Sequence, residues 1–164
     1  MARVLVFGYG NPGRGDDALG PLLLEQLERE LSTMEKEAAG GIEFLTDFQL
    51  QIEHALDLAE RDLVLFIDAH VSCTPPCALE CLSPAPERGY TTHALHPGAV
   101  LRVFQEIRNA EPPSAFLLSV RGEEFELGAA LTPAAERNLS AALELALRLC
   151  RVAEPARWLE LCHC

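Results

Sequence analysis

Apolar residues along the chain fall into two patterns. Short unbroken runs, Arg3-Val-Leu-Val-Phe-Gly8, Leu63-Val-Leu-Phe-Ile67 and Ala115 to Val120, read as strands buried on both faces. Ile42 to Thr46 and Ala78 to Leu82 are two further strand candidates. Between them the apolar positions take helical spacing. Leu22, Leu23, Leu27 and Leu31 form one stripe, with Glu25, Glu28, Arg29 and Glu30 opposite. Pro21 suits a first helical position, and this helix is expected to run to about Lys36 before Gly40-Gly41 ends the segment. Gln51 to Glu60 predicts a short helix with Ile52, Ala55, Leu56 and Ala59 inward, and Pro97 to Ile107 one with Val100, Leu101, Phe104 and Ile107 inward. Thr132-Pro133 is an N-cap followed by a first-turn proline. The final helix then runs to about Cys150 through Leu139, Leu143 and Leu147. Strands alternating with helices predict a single domain over residues 1–164. The expected architecture is a three-layer α/β/α fold around a mostly parallel sheet of about five strands. Residues 152–164 read as a C-terminal tail or peripheral cap.

Composition narrows the function classes. Apolar residues are 49% and charged residues 23%, so the chain reads as globular rather than disordered. A formal net charge of -12 repels nucleic acid and anionic lipid, and no run of Lys or Arg offsets it, Lys occurring only at Lys36. Aromatic residues are 6%, too sparse for a base-stacking surface. The sign of the charge suits a cationic partner, a metal ion or a protein with a basic tail. No apolar run approaches a membrane span. The first ten residues lack the basic segment and cleavage site of a signal peptide, so a cytoplasmic protein is expected. Cys73, Cys77, Cys81, Cys150, Cys162 and Cys164 are then expected as reduced thiols. Their spacing fits no standard zinc pattern, and no role is assigned to them.

The chemistry concentrates after the first strand. Gly8-Tyr-Gly10-Asn-Pro-Gly13 matches the G-x-G-x-x-G dinucleotide fingerprint. Pro12, however, removes an N–H from a loop that should cradle pyrophosphate. Asp16 and Asp17 place negative charge where that anion would approach. The same acids suit a cation. Asp17 follows the first strand and Asp68 ends the third, so both belong at the carboxyl edge of the sheet. A 2-1-3 strand order brings their loops to the switch point there. Two carboxylates drawn together raise each other's pKa unless a cation or proton intervenes, a demand that metal sites and acid dyads both exploit. His70, His93 and His96 are candidates for a third group, and two oxygens with one imidazole nitrogen make an open site for zinc, nickel or a similar ion. Each residue also has a plainer reading: Asp17 as a helix cap, Asp68 as a strand terminator, the histidines as solvated loop residues.

The order of these motifs resembles a known family. A strand followed by Gly8-x-Gly10-Asn11 and Asp16-Asp17-Ala-x-Gly20 is similar to the opening of the nickel–iron hydrogenase maturation endopeptidases. Ile67-Asp68-Ala69 is similar to their second motif, and Thr92-His93-x-Leu-x-Pro-x-Ala-Val-Leu101 to their third. Order and rough spacing match up to the last helix. The resemblance implies an aspartic-type or metal-dependent endopeptidase that cuts a C-terminal extension from the nickel-loaded hydrogenase large-subunit precursor. It implies that Asp17, Asp68 and His93 form the metal-binding and catalytic site. Nickel would arrive with the substrate, and zinc or cadmium would substitute in vitro. The expected enzyme is a cytoplasmic monomer with no nucleic-acid or membrane partner. The chain departs from the pattern at Pro12-Gly13-Arg14-Gly15, where many members carry a bulky aliphatic pair. It departs again at Asp47-Phe-Gln-Leu-Gln51, in place of a glycine-rich turn. Together with Ser119-Val-Arg-Gly122, this second segment is similar to the branch serving cytoplasmic, NAD-reducing type hydrogenases. Asp47 and Gln49 become candidate substrate contacts. Two other functions compete: a non-catalytic metal chaperone or assembly scaffold, and a dinucleotide-binding oxidoreductase.

Overall fold

The apolar runs become the strands. The computed structural model describes residues 3–33, 41–86 and 95–162, and in it β1 (Val4–Tyr9), β2 (Ile42–Asp47), β3 (Leu63–His70), β4 (Cys77–Leu82) and β5 (Ser114–Arg121) form one sheet in the order β2-β1-β3-β5-β4. β1 runs parallel to β2 and β3, and β3 to β5, whereas β4 runs antiparallel to β5. The sheet is therefore mixed, a correction to the mostly parallel sheet expected. Residues 71–76 join β3 to β4. That connection is too short for the crossover a parallel strand needs, which takes a dozen residues or more, so the chain must turn back.

Among the described residues four α-helices cover the sheet: α1 (Leu19–Ser32), α2 (Pro97–Arg108), α3 (Pro133–Arg151) and α4 (Pro155–Leu161). Alternate strand residues serve opposite layers. Val4, Val6, Leu65, Ile67 and Leu118 pack with Leu23, Leu27 and Leu31 of α1 and with Leu139, Ala146 and Leu149 of α3. On the other face Leu5, Phe7, Tyr9, Val64, Phe66 and Leu117 pack with Val100, Leu101 and Phe104 of α2 and with Leu50, Ala55 and Leu58. Three inward positions expected for helices differ. Gln51 to Glu60 supplies a 3-10 helix at Ile52–Leu58, whose three-residue turn puts Ala55 and Leu58 inward and Leu56 outward; Ile52, at the start of the turn, is also exposed. Ile107 is exposed as well, one turn before α2 stops at left-handed Asn109. Beyond Val152 the chain forms α4. Its Trp158 is wholly buried against Phe116, ring centroids 5.3 Å apart, with its indole N–H donated to the carbonyls of Leu149 and Val152. Among the described residues no helix is long and apolar enough to cross a membrane, and the five described cysteines are free thiols.

Candidate active site

β1 is the central strand of the 2-1-3 half of the sheet, so its carboxyl end lies between those of β2 and β3. The chain leaves it at Gly10 and returns as a 3-10 turn, Gly15–Ala18, that leads into α1. This return runs unusually close to the strand ends. A Cβ on Gly10, whose φ is +146°, would lie 2.1 Å from the Asp17 carbonyl oxygen, and one on Gly20 would lie 2.2 Å from that of Tyr9. Only glycine fits at both points. Gly8 and Gly10 of the apparent fingerprint thus serve backbone packing, and that packing holds Asp17 over the sheet edge.

Every N–H the loop has is also consumed. Those of Gly10, Arg14, Gly15, Asp16 and Asp17 go to the carbonyls of Asp47, Asn11, Ala129, Glu124 and Arg14. Asn11 N–H donates to the Asp17 carboxylate at 2.7 Å, and Gly13 N–H to the Asn11 side-chain oxygen at 2.8 Å. Pro12 has none. A dinucleotide needs free N–H groups pointing at its phosphates, and this loop offers none from Gly10 to Asp17.

The two adjacent acids part company here. Asp16 is fully buried and accepts from the N–H groups of Glu123, Glu124 and Thr132 at 2.7, 3.0 and 2.8 Å, and from the Thr132 hydroxyl at 2.8 Å. Burial alone would raise its pKa, but these bonds, led by that from Thr132 N–H, hold it below the ordinary value. Asp17 is half-buried and does not cap a helix, since α1 has no side-chain cap; its carboxylate turns back to Asn11.

Asp68 stands near the end of β3, beside Ser119 of β5. Burial, and next the Asp17 charge, push its carboxyl up to about 7, against the pull of the Ala69 N–H. The Asp17 charge thus reaches Asp68. Both line a cleft of about 950 Å³ with Tyr9, Asn11, Arg14 and Phe125. Asp47 and Gln49 line the same cleft. The Asp47 carboxylate is tied into its wall, accepting from Phe48 N–H at 2.7 Å and meeting His54 Nε2 at 3.1 Å. Gln51 N–H donates to His54 Nδ1 at 2.8 Å, which leaves Nε2 to carry the proton of the neutral ring. His54 is a buried residue whose part the sequence pattern did not reveal.

A second cleft, of about 420 Å³, also reaches Asp68. His70, Cys73, Glu80 and His96 line it, and Tyr9 and Asp68 are the two residues common to both clefts. His96 caps α2, its Nδ1 accepting from Gly98 N–H at 3.0 Å, and His70 Nδ1 accepts from Ser72 N–H at 3.1 Å. His93 lies outside the described residues. Among the described residues no three His, Cys, Asp or Glu side chains form a metal-holding group. Far from this edge, Arg148, Arg151 and Arg157 converge on one pocket, a basic cluster that chain spacing does not reveal. The first two sit in the last turn of α3, where the helix dipole favours them.

No family model matches the chain and no curated protein matches it by sequence. Solved structures do. The hydrogenase maturating endopeptidase HybD from E. coli is 25% identical, with a TM-score of 0.68 over 92% of this chain and 93% of that one. The NiFe hydrogenase maturation protease HycI from Thermococcus kodakarensis is 21% identical, with a TM-score of 0.68 and the same coverage. A hydrogenase 2 maturation peptidase from a Thaumarchaeota archaeon is 22% identical, with a TM-score of 0.61 over 89% of this chain and 96% of that one. Over nearly its whole length, this chain resembles the NiFe hydrogenase maturation endopeptidases and has their fold.

Proposed function

We propose that this protein is an endopeptidase that removes a C-terminal extension from the nickel-loaded large subunit of a nickel–iron hydrogenase, acting as a cytoplasmic monomer. The observation that carries this reading is the pair Asp17 and Asp68, coupled at the carboxyl edge of the sheet where two clefts meet. An endopeptidase must hold chain on both sides of the bond it cuts, and the two clefts supply those sides. The full-length likeness to HybD and HycI supports the same substrate class.

Paired carboxylates suit a cation, because a positive charge between them offsets both the burial and the Asp17 repulsion that raise Asp68. The nickel of the precursor is that cation in this proposal. Asp17, Asp68 and His93 hold it, so metal loading licenses cleavage. Zinc or cadmium would bind the same oxygens in vitro. One carboxylate of the pair acts as general base through the oxygen that the ion leaves free. It takes a proton from water, and the water oxygen bonds to the scissile carbonyl carbon. The proton then passes to the amine as the C–N bond breaks. Asp47 and Gln49 would contact the substrate from the cleft wall. The segments Asp47–Leu50 and Ser119–Gly122 support a substrate of the NAD-reducing type.

Incubation with nickel-loaded precursor tests the reading by mass. Loss of a C-terminal peptide is expected; a bound but intact precursor would establish the scaffold reading instead. His93→Ala should stop processing. His96→Asn, which keeps a side-chain oxygen to cap α2, should not. The reverse outcome would move the third ligand to His96.

A further inference from the structure

The two acids leave one requirement of peptide hydrolysis unmet. Attack of water on the scissile carbonyl puts negative charge on its oxygen, and that charge needs a fixed donor in a water-poor site. Carboxylates near the reacting bond oppose it instead. A neutral group that keeps its proton at neutral pH, and is held rigidly beside Asp68, would complete the site.

Tyr9 meets this description. It is the last residue of β1 and only 2% exposed. Its ring stands edge-on to Phe7, centroids 5.6 Å apart, in the layer formed by Leu50, Val64 and Val100. The strand pairs it with Asp47, and its carbonyl oxygen is in close contact with Gly20, so both backbone and ring are immobilised. It shares with Asp68 the junction of the two clefts, which a bound peptide must cross. No hydrogen bond to the Tyr9 hydroxyl is formed among the described residues, and the hydroxyl is not sealed in the core, since the one buried side-chain N or O atom without a partner there is Arg121 Nε. A phenol so packed, with its donor unused, is prepared for a group that arrives with the substrate.

We propose that the Tyr9 hydroxyl donates a hydrogen bond to the carbonyl oxygen of the scissile peptide as charge develops on it, which makes Tyr9 a catalytic residue of the reaction proposed above. The inference rests on that reading, and one assay separates the two. Wild type and Tyr9→Phe are compared on nickel-loaded precursor, with kcat, KM and Tm measured for each. The expected result is a fall in kcat of about 100-fold, the order seen when one oxyanion donor is removed. KM should change less than about threefold, and Tm should not fall, because the hydroxyl carries no structural bond. A variant with 3-fluorotyrosine at position 9, which keeps the donor, should retain kcat within about threefold. Wild-type kcat in Tyr9→Phe overturns this inference alone. A rise in KM with kcat unchanged makes Tyr9 a binding contact and overturns it too, as does a Tm loss that the fluorinated variant does not share. No cleavage by wild type removes the endopeptidase reading and this inference with it.

Discussion

Asp16 and Asp17 are neighbours in the chain, yet they build two different regions of the molecule. Around Asp16 every donor has been spent on the carboxylate: three N–H groups and a hydroxyl pin the segment 123–132 to the loop after β1. Thr132 then caps α3 by accepting from Ala135 N–H at 3.1 Å. Around Asp17 and Asp68 the donors are few, and burial, with the Asp17 charge next, holds Asp68 up to about 7. One acid stabilises the fold by being satisfied. The other two keep their capacity to act by not being satisfied, at a cost to the fold. A charge that the protein has already neutralised has little left to offer a substrate.

This contrast can be broken by substitution. Asp17→Asn gives the largest effect: processing of nickel-loaded precursor should fall by about 100- to 10,000-fold, with Tm at or above the wild-type value. Asp16→Asn should do the opposite, removing about 3 kcal/mol of stability by stranding buried donors. That lowers Tm by about 6 to 12 °C, while the folded fraction keeps its activity. If thermal melts showed Asp17 to be the stabilising member and Asp16 the silent one, the assignment of the two would be inverted.

Asp68→Asn sharpens the comparison through pH. Burial and the Asp17 charge raise Asp68 above its ordinary 3.8, to about 7 in the folded protein. The folded state therefore holds a proton that the unfolded chain has released. The stability tied to that proton is complete below about 4 and lost as pH rises through 7. Asp68→Asn removes the dependence. Measured in chelator, it should raise Tm at pH 8, by the equivalent of about 1 to 3 kcal/mol, and converge on wild type near pH 4. A Tm difference that stayed constant from pH 4 to 8 would deny Asp68 its raised pKa. The smallest effect belongs to the cleft wall. His54→Gln loosens the Asp47 carboxylate and should raise KM for precursor about three- to tenfold, with kcat unchanged.

Much of this was legible along the chain. Unbroken apolar runs at Val4–Phe7, Leu63–Ile67 and Ala115–Val120 determine strands because a strand buried on both faces admits no polar residue. Thr132-Pro133 determines the start of α3 because a side-chain oxygen and a proline meet what an N-terminus needs. Asp17 and Asp68 were legible as a pair because one follows β1 and the other lies near the end of β3, at the edge where such sheets place their chemistry. Local signals of this kind depend on a few neighbouring residues.

Other features depended on which distant segments meet. The adjacent aspartates look alike in sequence, and only the arrival of residues 123–132 separates them. G-x-G-x-x-G spells a phosphate loop, but the close return of Asp17 and Gly20 to the strand ends spends Gly8 and Gly10 on packing. The direction of β4 followed from the short 71–76 connection and from β5, which comes much later. His54 behind Asp47, Tyr9 between the clefts and the pocket of Arg148, Arg151 and Arg157 join residues through space. The sequence by itself determined the elements and the edge that carries the acids. Tertiary structure alone decided which acid is satisfied and which is left short of donors, because a carboxylate's solvation is set by whatever else is packed around it.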